Sequence, residues 1–475
     1  MKKRITKILL LLVLYLAGGA LLPFLFQPKP DEAVRSAFHA ENFYSQGEAC
    51  VDRVGIVETN QEALDIRLSM IEEARERIVL STFDIRPGGS CTDIFSALYA
   101  AANRGVQVQI YVDGLYGAIH MKRDPMFYAV GSLPNVEIRF YNIPNPFLPW
   151  TINGRMHDKY LMIDDRWLLL GGRNTFDYFL GTYTDKNVSH DREVLIHNTA
   201  AGTGESKKSV ISAVADYFSS IWNQKESRSV YESVPKNQKG VEQAAADLGK
   251  HYEKMRAERP EIYGVSLGSV DPTIPVEKVT FISNPTHIYA KEPLVWYQLT
   301  ELMKQAHERV YIQTPYAVFG KDMYQTFSEI GAGGIPFDMQ VNSIAVGDNF
   351  MASSDYKLHR KDIQRTGVRL YEYQGEDSSH GKSGLIDRDL SFVGSYNLDM
   401  RSTYVDTETV LVIHGEEFNR QLEACIMAMH EESLLVNDDG SYEPESGVAA
   451  RELPAGKKLL FSITSVIFQL FRYVI

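Results

Sequence analysis

From Ile8 to Phe26 the chain runs nineteen residues without a charge, directly after Lys2, Lys3, Arg4 and Lys7. On a helix that length roughly matches the ~30 Å of a bilayer's hydrocarbon. A cleaved signal peptide is the alternative, because Ala17-Gly18-Gly19-Ala20 resembles a small-residue cleavage site. The apolar run continues past it through Leu21, Leu22, Phe24, Leu25 and Phe26, which favours an uncleaved signal anchor over residues 1–30. Basic residues before the span stay cytoplasmic, so the rest of the chain is expected outside.

Beyond the anchor, helix-period segments alternate with apolar strands. Residues Ala63 to Ala74 lead into a strand-like run ending Val79-Leu80-Ser81-Thr82; Leu294 to Ala306 lead into Val310-Tyr311-Ile312-Gln313-Thr314. A second helical stretch, Asp93 to Asn103, precedes Gly105 and the alternation Val106, Val108, Ile110, Val112. This order predicts an α/β architecture with helices layered over sheets. The pattern occurs twice, which predicts a duplicated unit at 45–225 and again at 279–437. Residues 226–278 between them turn polar, with one helical patch (Val241 to Glu258) ended by Pro260, and read as a linker or insertion. In the last segment, 454–475, Lys458, Ser462, Ser465, Gln469 and Arg472 recur at helical spacing, one narrow polar stripe on an otherwise apolar helix. Such a helix packs into the protein's own core or lies in a membrane interface; its place in an anchored chain favours the membrane.

Composition changes this picture little. Of 475 residues, 44% are hydrophobic and 23% charged, ordinary for a globular protein. The net charge of −12 argues against a surface that tracks nucleic acid. Three cysteines (Cys50, Cys91, Cys425) are too few for a disulfide scaffold and lack metal-site spacing. Outside the membrane Cys50 and Cys91 could pair, or remain two separate buried thiols.

The chemistry is concentrated in two matched segments. One runs from His157 through Lys159, Asp164 and Gly171 to Asn174; the other from His380 through Lys382, Asp387 and Gly394 to Asn397. Each has lysine two residues after histidine, aspartate seven, glycine fourteen and asparagine seventeen after it. A single His-x-Lys would be weak evidence; five matched positions in two places are strong. Two apolar runs around a short polar pair (Asp165-Arg166, Arg388-Asp389) suggest a β-hairpin. A two-residue loop would set His157 opposite Asn174 and Lys159 opposite Gly172, with His380 opposite Asn397 and Lys382 opposite Ser395. His, Lys and Asn then share one face, and a small residue opposite the lysine leaves room for ligand oxygens. Asp164 and Asp387 fall on the other face, so a structural job comes before a catalytic one. Asp158 also alternates away, which weakens a metal site built on His157.

Lysine and amide donors suit a phosphoryl group whose charge grows during transfer. One histidine can attack phosphorus, and a second can protonate the leaving alkoxide and later activate the acceptor. Acidic candidates to hold the far ring nitrogens follow each motif, Asp191 with Glu193 and Asp406 with Glu408.

These segments resemble the paired HxKxxxxD motifs of the phospholipase D superfamily, with its downstream GG/GS-x-N element. Gly394-Ser395-Tyr396-Asn397-Leu398-Asp399-Met400-Arg401-Ser402 resembles bacterial cardiolipin synthases in particular. The resemblance covers roughly residues 60 to 435. It implies two αβα sandwich units packed as a pseudo-dimer, one shared site, and no metal or other cofactor. It implies a catalytic set of His157, Lys159, Asp164, His380, Lys382 and Asp387, with Asn174, Asn397 and Ser395 as phosphate binders. Glu193 and Glu408 would orient the histidines, and His157 would be the nucleophile. Asp406 departs from the asparagine frequent in the synthases. The expected activity is phosphatidyl transfer through a phosphohistidine, with phospholipid and membrane as partners and no nucleic acid. Its rivals are hydrolysis to phosphatidic acid, a nuclease of the same superfamily, and an idle membrane scaffold.

Overall fold

The structure is a computed structural model describing residues 2–47, 50–186, 188–443 and 447–475. Its first helix, α1 (Lys2–Leu21), leaves Ile8 to Tyr15 exposed. The helical stretch Lys3–Phe24 is long and apolar enough to cross a membrane, with mean hydropathy 2.2 over its best window.

The duplication governs the rest. The first sheet takes β1 (Asp52–Val57), β2 (Arg77–Thr82), β3 (Gln107–Asp113), β4 (Val136–Tyr141), β5 (Tyr160–Ile163), β6 (Trp167–Gly171), β7 (Glu193–Asn198), β8 (Ser227–Val230) and β9 (Ile274–Pro275). They lie in the order β9-β1-β7-β6-β5-β2-β3-β4-β8. The second sheet takes β10 (Lys278–Ser283), β11 (Val310–Gln313), β12 (Phe337–Asn342), β13 (Arg369–Tyr373), β14 (Ser383–Ile386), β15 (Leu390–Gly394), β16 (Thr409–His414) and β17 (Ser433–Leu435). Their order is β10-β16-β15-β14-β11-β12-β13-β17. From β1 to β8 the first sheet matches the second strand for strand, including the parallel trios β2-β3-β4 and β11-β12-β13.

Strand alternation sends side chains to two faces. Outward residues of the first sheet, such as Leu80, Ile110, Leu161 and Leu169, pack under α2 (Asn60–Glu73) and α3 (Gly89–Asn103). The second sheet's outer face packs under α6 (Leu294–Lys304), α7 (Lys321–Gly331) and α8 (Phe350–Gln364). The inner faces meet in one shared core, where Met162, Leu170 and Ile196 join Leu385, Val393 and Leu411. Two matched helices, α4 (Val210–Trp222) and α9 (Glu416–His430), complete it with Val214, Phe218, Leu422 and Ile426. Helix starts carry the expected caps: Thr59 accepts from the Glu62 amide and Ser209 from that of Ile211.

Residues 226–278 are not a free linker. β8 and β9 extend the first sheet, and α5 (Val241–Glu258) buries Leu248, Tyr252 and Met255 in the first half's outer core. The polar composition that suggested a linker is this helix's solvent face. Cys50 and Cys91 are both free thiols. Cys91 belongs to the outer core and Cys50 packs against the core between the sheets, so a sheet separates them.

The final helix, α10 (Ala455–Ile467), continues into a 3-10 stretch Phe468–Val474. It lies on α8 by its polar stripe: Ser462 accepts from Lys357 at 2.9 Å, Thr464 meets Ser354 at 3.1 Å, and Gln469 and Arg472 donate to Asp355.

Candidate active site

Each motif forms the predicted hairpin, but its loop has three residues. Ile163 pairs with Trp167 and Ile386 with Leu390, leaving Asp164-Asp165-Arg166 and Arg388 between Asp387 and Asp389 at the turns. The register therefore moves by one: Lys159 lies beside Gly171, not Gly172, and Lys382 beside Gly394, not Ser395. The cause is the first loop residue. Asp164 (φ 51°) and Asp387 (φ 53°) are left-handed, a conformation aspartate tolerates better than most residues. The Asp164 carboxylate accepts the backbone amides of Arg75, Glu76 and Arg77 at 3.2, 3.0 and 2.8 Å. Asp387 does the same for His307, Glu308 and Arg309. Neither reaches a histidine, so both motif aspartates belong to the framework and leave the catalytic set. The glycine opposite each lysine also has a different reason from the expected room for a ligand. A Cβ at Gly171 or Gly394 would stand 2.3 Å from a carbonyl of the adjoining strand, Arg192 O or Thr409 O.

The functional ends of the hairpins converge at the junction of the halves. His157 Nδ1 lies 2.9 Å from Glu408 Oε1, and His380 Nδ1 lies 2.5 Å from Asp191 Oδ2. Each histidine is thus held by an acid of the opposite half. The junction is further stitched by a bridge between Met156 and Thr407, and by the parallel pair Ser189–His190 with Ser378–Ser379. Asp158, turned away from the histidines as its parity requires, accepts from Tyr217 and from Thr407 across the junction.

Glu193 is the exception among the predicted orienting residues. It does not hold His380; Arg67 grips both its oxygens at 2.6 and 2.7 Å, and Arg173 stands 3.6 Å away. The contact passes to Asp191, two residues earlier. Space at Gly172 permits this, since a Cβ there would fall 2.2 Å from Asp191 Oδ1. The matched position in the second half is Ser395, whose hydroxyl donates to Glu408 at 2.5 Å instead. Sequence had marked Asp191 as a candidate by its Asp-x-Glu pattern; Arg67, far away in the chain, gave no signal that Glu193 was already engaged.

Lys159 and Lys382 are nearly inaccessible, 1% and 2% exposed. Lys159 donates to the His157 carbonyl at 2.5 Å, and Lys382 Nζ lies 2.7 Å from His380 Nδ1. Burial, only partly offset by Glu408, brings Lys159 down to about 7; burial offset by Asp191 brings Lys382 to about 8. Burial and the neighbouring lysines hold the His157 imidazole well below its ordinary value, while His380 is lowered less because Asp191 opposes the effect. Burial raises Glu408 well above the carboxylate range. For Asp191 burial acts in the same direction, but Lys382 and His380 outweigh it and keep the group low. The side-chain carbonyls of Asn174 and Asn397, at matched positions, are buried and have no partner among the described residues. Such orphaned polar atoms are costly unless a ligand meets them. Aromatic rings wall the site: Phe83 stands edge-on to His157 at 5.0 Å, and Phe179 lies 5.0 Å from His380. Those rings carry no sequence signature of their own.

The fold thus pairs two sheets and braces two His-Lys sets across its pseudo-twofold junction. Comparison with known families places it. The family described as "Cardiolipin synthase, PLD-like domain" matches residues 68–222 and 299–429, one match in each half, and the chain belongs to that family. It is a phosphatidyltransferase of the phospholipase D type. Cardiolipin synthase C of Escherichia coli K12 is 27% identical over 410 residues, covering 76% of this chain and 81% of that protein. Cardiolipin synthase A of Buchnera aphidicola subsp. Schizaphis graminum is 22% identical over 414 residues, covering 84% and 74%. An uncharacterized protein of Helicobacter pylori 26695 is 25% identical over 409 residues, with 77% of each chain covered. Among solved structures, phosphatidylserine synthase of Haemophilus influenzae Rd KW20 shares the fold, with TM-score 0.62 at 13% identity over 89% of this chain and 95% of that one.

Proposed function

We propose that the protein joins two molecules of phosphatidylglycerol into cardiolipin, with release of glycerol, through a phosphatidyl group carried on His157. The observation that carries this reading is the cross-braced pair of histidines, together with the two buried lysines beside them. In the first step His157 Nε2 attacks phosphorus, a N–P bond forms and the P–O bond to glycerol breaks, and His380 gives its proton to the departing oxygen. In the second, His380 takes the proton of a hydroxyl on another phosphatidylglycerol, that oxygen attacks phosphorus, and the N–P bond breaks. In this scheme Lys159 and Lys382, and the Nδ2 amides of Asn174 and Asn397, donate to the charge that develops on the phosphoryl oxygens.

The unequal acids favour this division. Asp191 keeps its negative charge and supports a proton on His380, whereas burial resists charge on Glu408 and leaves His157 the poorer proton holder and so the free nucleophile. Ser395 acts in this scheme by fixing Glu408, one step removed from the phosphate. The relatives named as cardiolipin synthases support the choice of acceptor over water. The anchor helix supports a place in the cell membrane, and the basic residues before it support an extracytoplasmic catalytic part.

The test is to incubate detergent-solubilised protein with phosphatidylglycerol and separate the products. Cardiolipin plus glycerol is expected; phosphatidic acid as main product would make the enzyme a hydrolase, and no conversion would reject the substrate. With His380→Asn, rapid acid-free digestion should recover a phosphatidyl adduct on His157. An adduct on the other histidine in the His157→Asn counterpart, and none here, would reverse the roles.

A further inference from the structure

The helix α10 is amphipathic in the opposite sense to an ordinary surface helix. The side turned to α8 is engaged through Ser462 and Thr464, through Phe461 against Phe350 at 4.5 Å, and through Gln469 and Arg472 of the 3-10 stretch that follows. Its outward side presents Leu459, Leu460, Ile463, Val466 and Ile467, and the 3-10 stretch after it adds Leu470, each 48–76% exposed. A soluble protein gains nothing by spending polar groups on an internal contact and turning six large apolar side chains to water.

Three further features say what covers this face. The chain end after α10 meets the end of the anchor: Arg401 donates to the Val474 carbonyl at 2.9 Å and stands 3.3 Å from Asn153, whose amide donates to the Ala20 carbonyl at 2.8 Å. The end of the anchor and the end of the chain beyond α10 are therefore joined through Arg401 and Asn153. The first turn of α10 carries exposed Lys457 and Lys458, cations at the end of a helix where the backbone dipole disfavours them. An anionic surface beyond the helix would offset that cost. Finally, α8 starts one residue after Asn349, next to Asp348, which accepts from Tyr316 at 2.5 Å and Tyr178 at 3.3 Å. Tyr316 is itself 6.1 Å from the His380 ring. The support of α10 thus begins at the wall of the active site.

We infer that α10 lies in the plane of an anionic phospholipid bilayer with these six side chains in its interfacial layer, so that anchor and α10 seat the site against the lipid as a two-point mount. This rests on the anchor part of the proposed function and is independent of the reaction catalysed. The full chain carrying Val466→Trp is reconstituted in vesicles of phosphatidylcholine and phosphatidylglycerol, with phosphatidylcholine brominated at successive acyl depths. The fluorescence difference from the unaltered protein gives the depth of the new indole. Strong quenching by shallow bromines is expected, placing it about 5–10 Å below the headgroup boundary. Leu11→Trp in α1 is the companion variant and should be quenched by bromines near the bilayer centre. Quenching at position 11 without quenching at 466 would overturn the inference alone. Absence at both would overturn the anchor as well. A blue-shifted indole at 466 that bromine does not quench would mean that protein, as in a second copy, covers the face, and would also overturn it.

Discussion

One ring nitrogen of His380 has two unlike neighbours, the Asp191 carboxylate at 2.5 Å and the Lys382 ammonium at 2.7 Å. Neither can be understood without the other, because Lys382 also favours the charged form of Asp191. Two consequences are measurable. Lys159 and Lys382, brought to about 7 and about 8, lose their protons as pH rises through that window, and with them the positive charge offered to phosphate. The profile of kcat/KM, which reports the free enzyme, should fall from about pH 7 upward. A flat profile from about pH 6 to 9 would mean that the lysine charges do not matter to capture of the substrate. The second concerns the two acids of Asp191-Arg192-Glu193. Asp191→Asn should lower kcat by about 10²-fold or more through loss of the orienting charge on His380. Glu193→Gln should leave buried Arg67 and Arg173 without their counter-charge, costing about 3–5 kcal/mol of stability while the folded enzyme keeps its pH profile. If the two variants behaved alike, the assignment of Asp191 over Glu193 would be wrong.

At the scale of elements, the hairpin turns show how a position repeated in both motifs can serve the frame. Each turn aspartate takes the left-handed conformation and collects the amides that open the neighbouring strand, β2 or β11. Asp387→Ala should lower the thermal midpoint by an amount equivalent to about 3 kcal/mol, from lost amide–carboxylate bonds, with kcat of the folded protein changed only a few-fold. A collapse of kcat with an unchanged midpoint would return the residue to the chemistry. The same turns mark the border of what sequence made legible. Strand identity and the pairing of β5 with β6, and β14 with β15, followed from apolar runs around a polar break. The register did not, because Asp164 and Asp387 add a loop residue only by virtue of amides from Arg75–Arg77 and His307–Arg309, about 80 to 90 positions away. The segment 226–278 was obscured for a related reason: α5 is polar on three sides and shows its buried stripe, Leu248, Tyr252 and Met255, only once the first half exists to receive it. The polar positions expected to form one helical stripe over 454–475 divide between α10 and the 3-10 stretch after Ile467, and spacing alone did not tell which side would face the protein.

For the whole molecule, the two halves differ in stand-alone competence from two domains on a string. Their inner faces form a common core, and β10 begins just three residues after β9 ends the first sheet. Fragments divided after Val276 should each retain one of the two motif histidines, His157 or His380, and neither should convert lipid. Expressed together, they should regain turnover by docking through that core. Turnover by either fragment alone would show that one histidine suffices.

The exchange of acids across the midline has a consequence for how such a chain can change over generations. A duplicated gene is usually free to let one copy drift while the other keeps working. Here His157 depends on Glu408 and His380 on Asp191, so every working centre is a hybrid of both copies. A chain spliced from two first halves would lack Glu408 and Ser395 altogether and carry Asp191 and Gly172 twice. The copies have thus become obligate complements, and a change tolerated in one must be answered in the other.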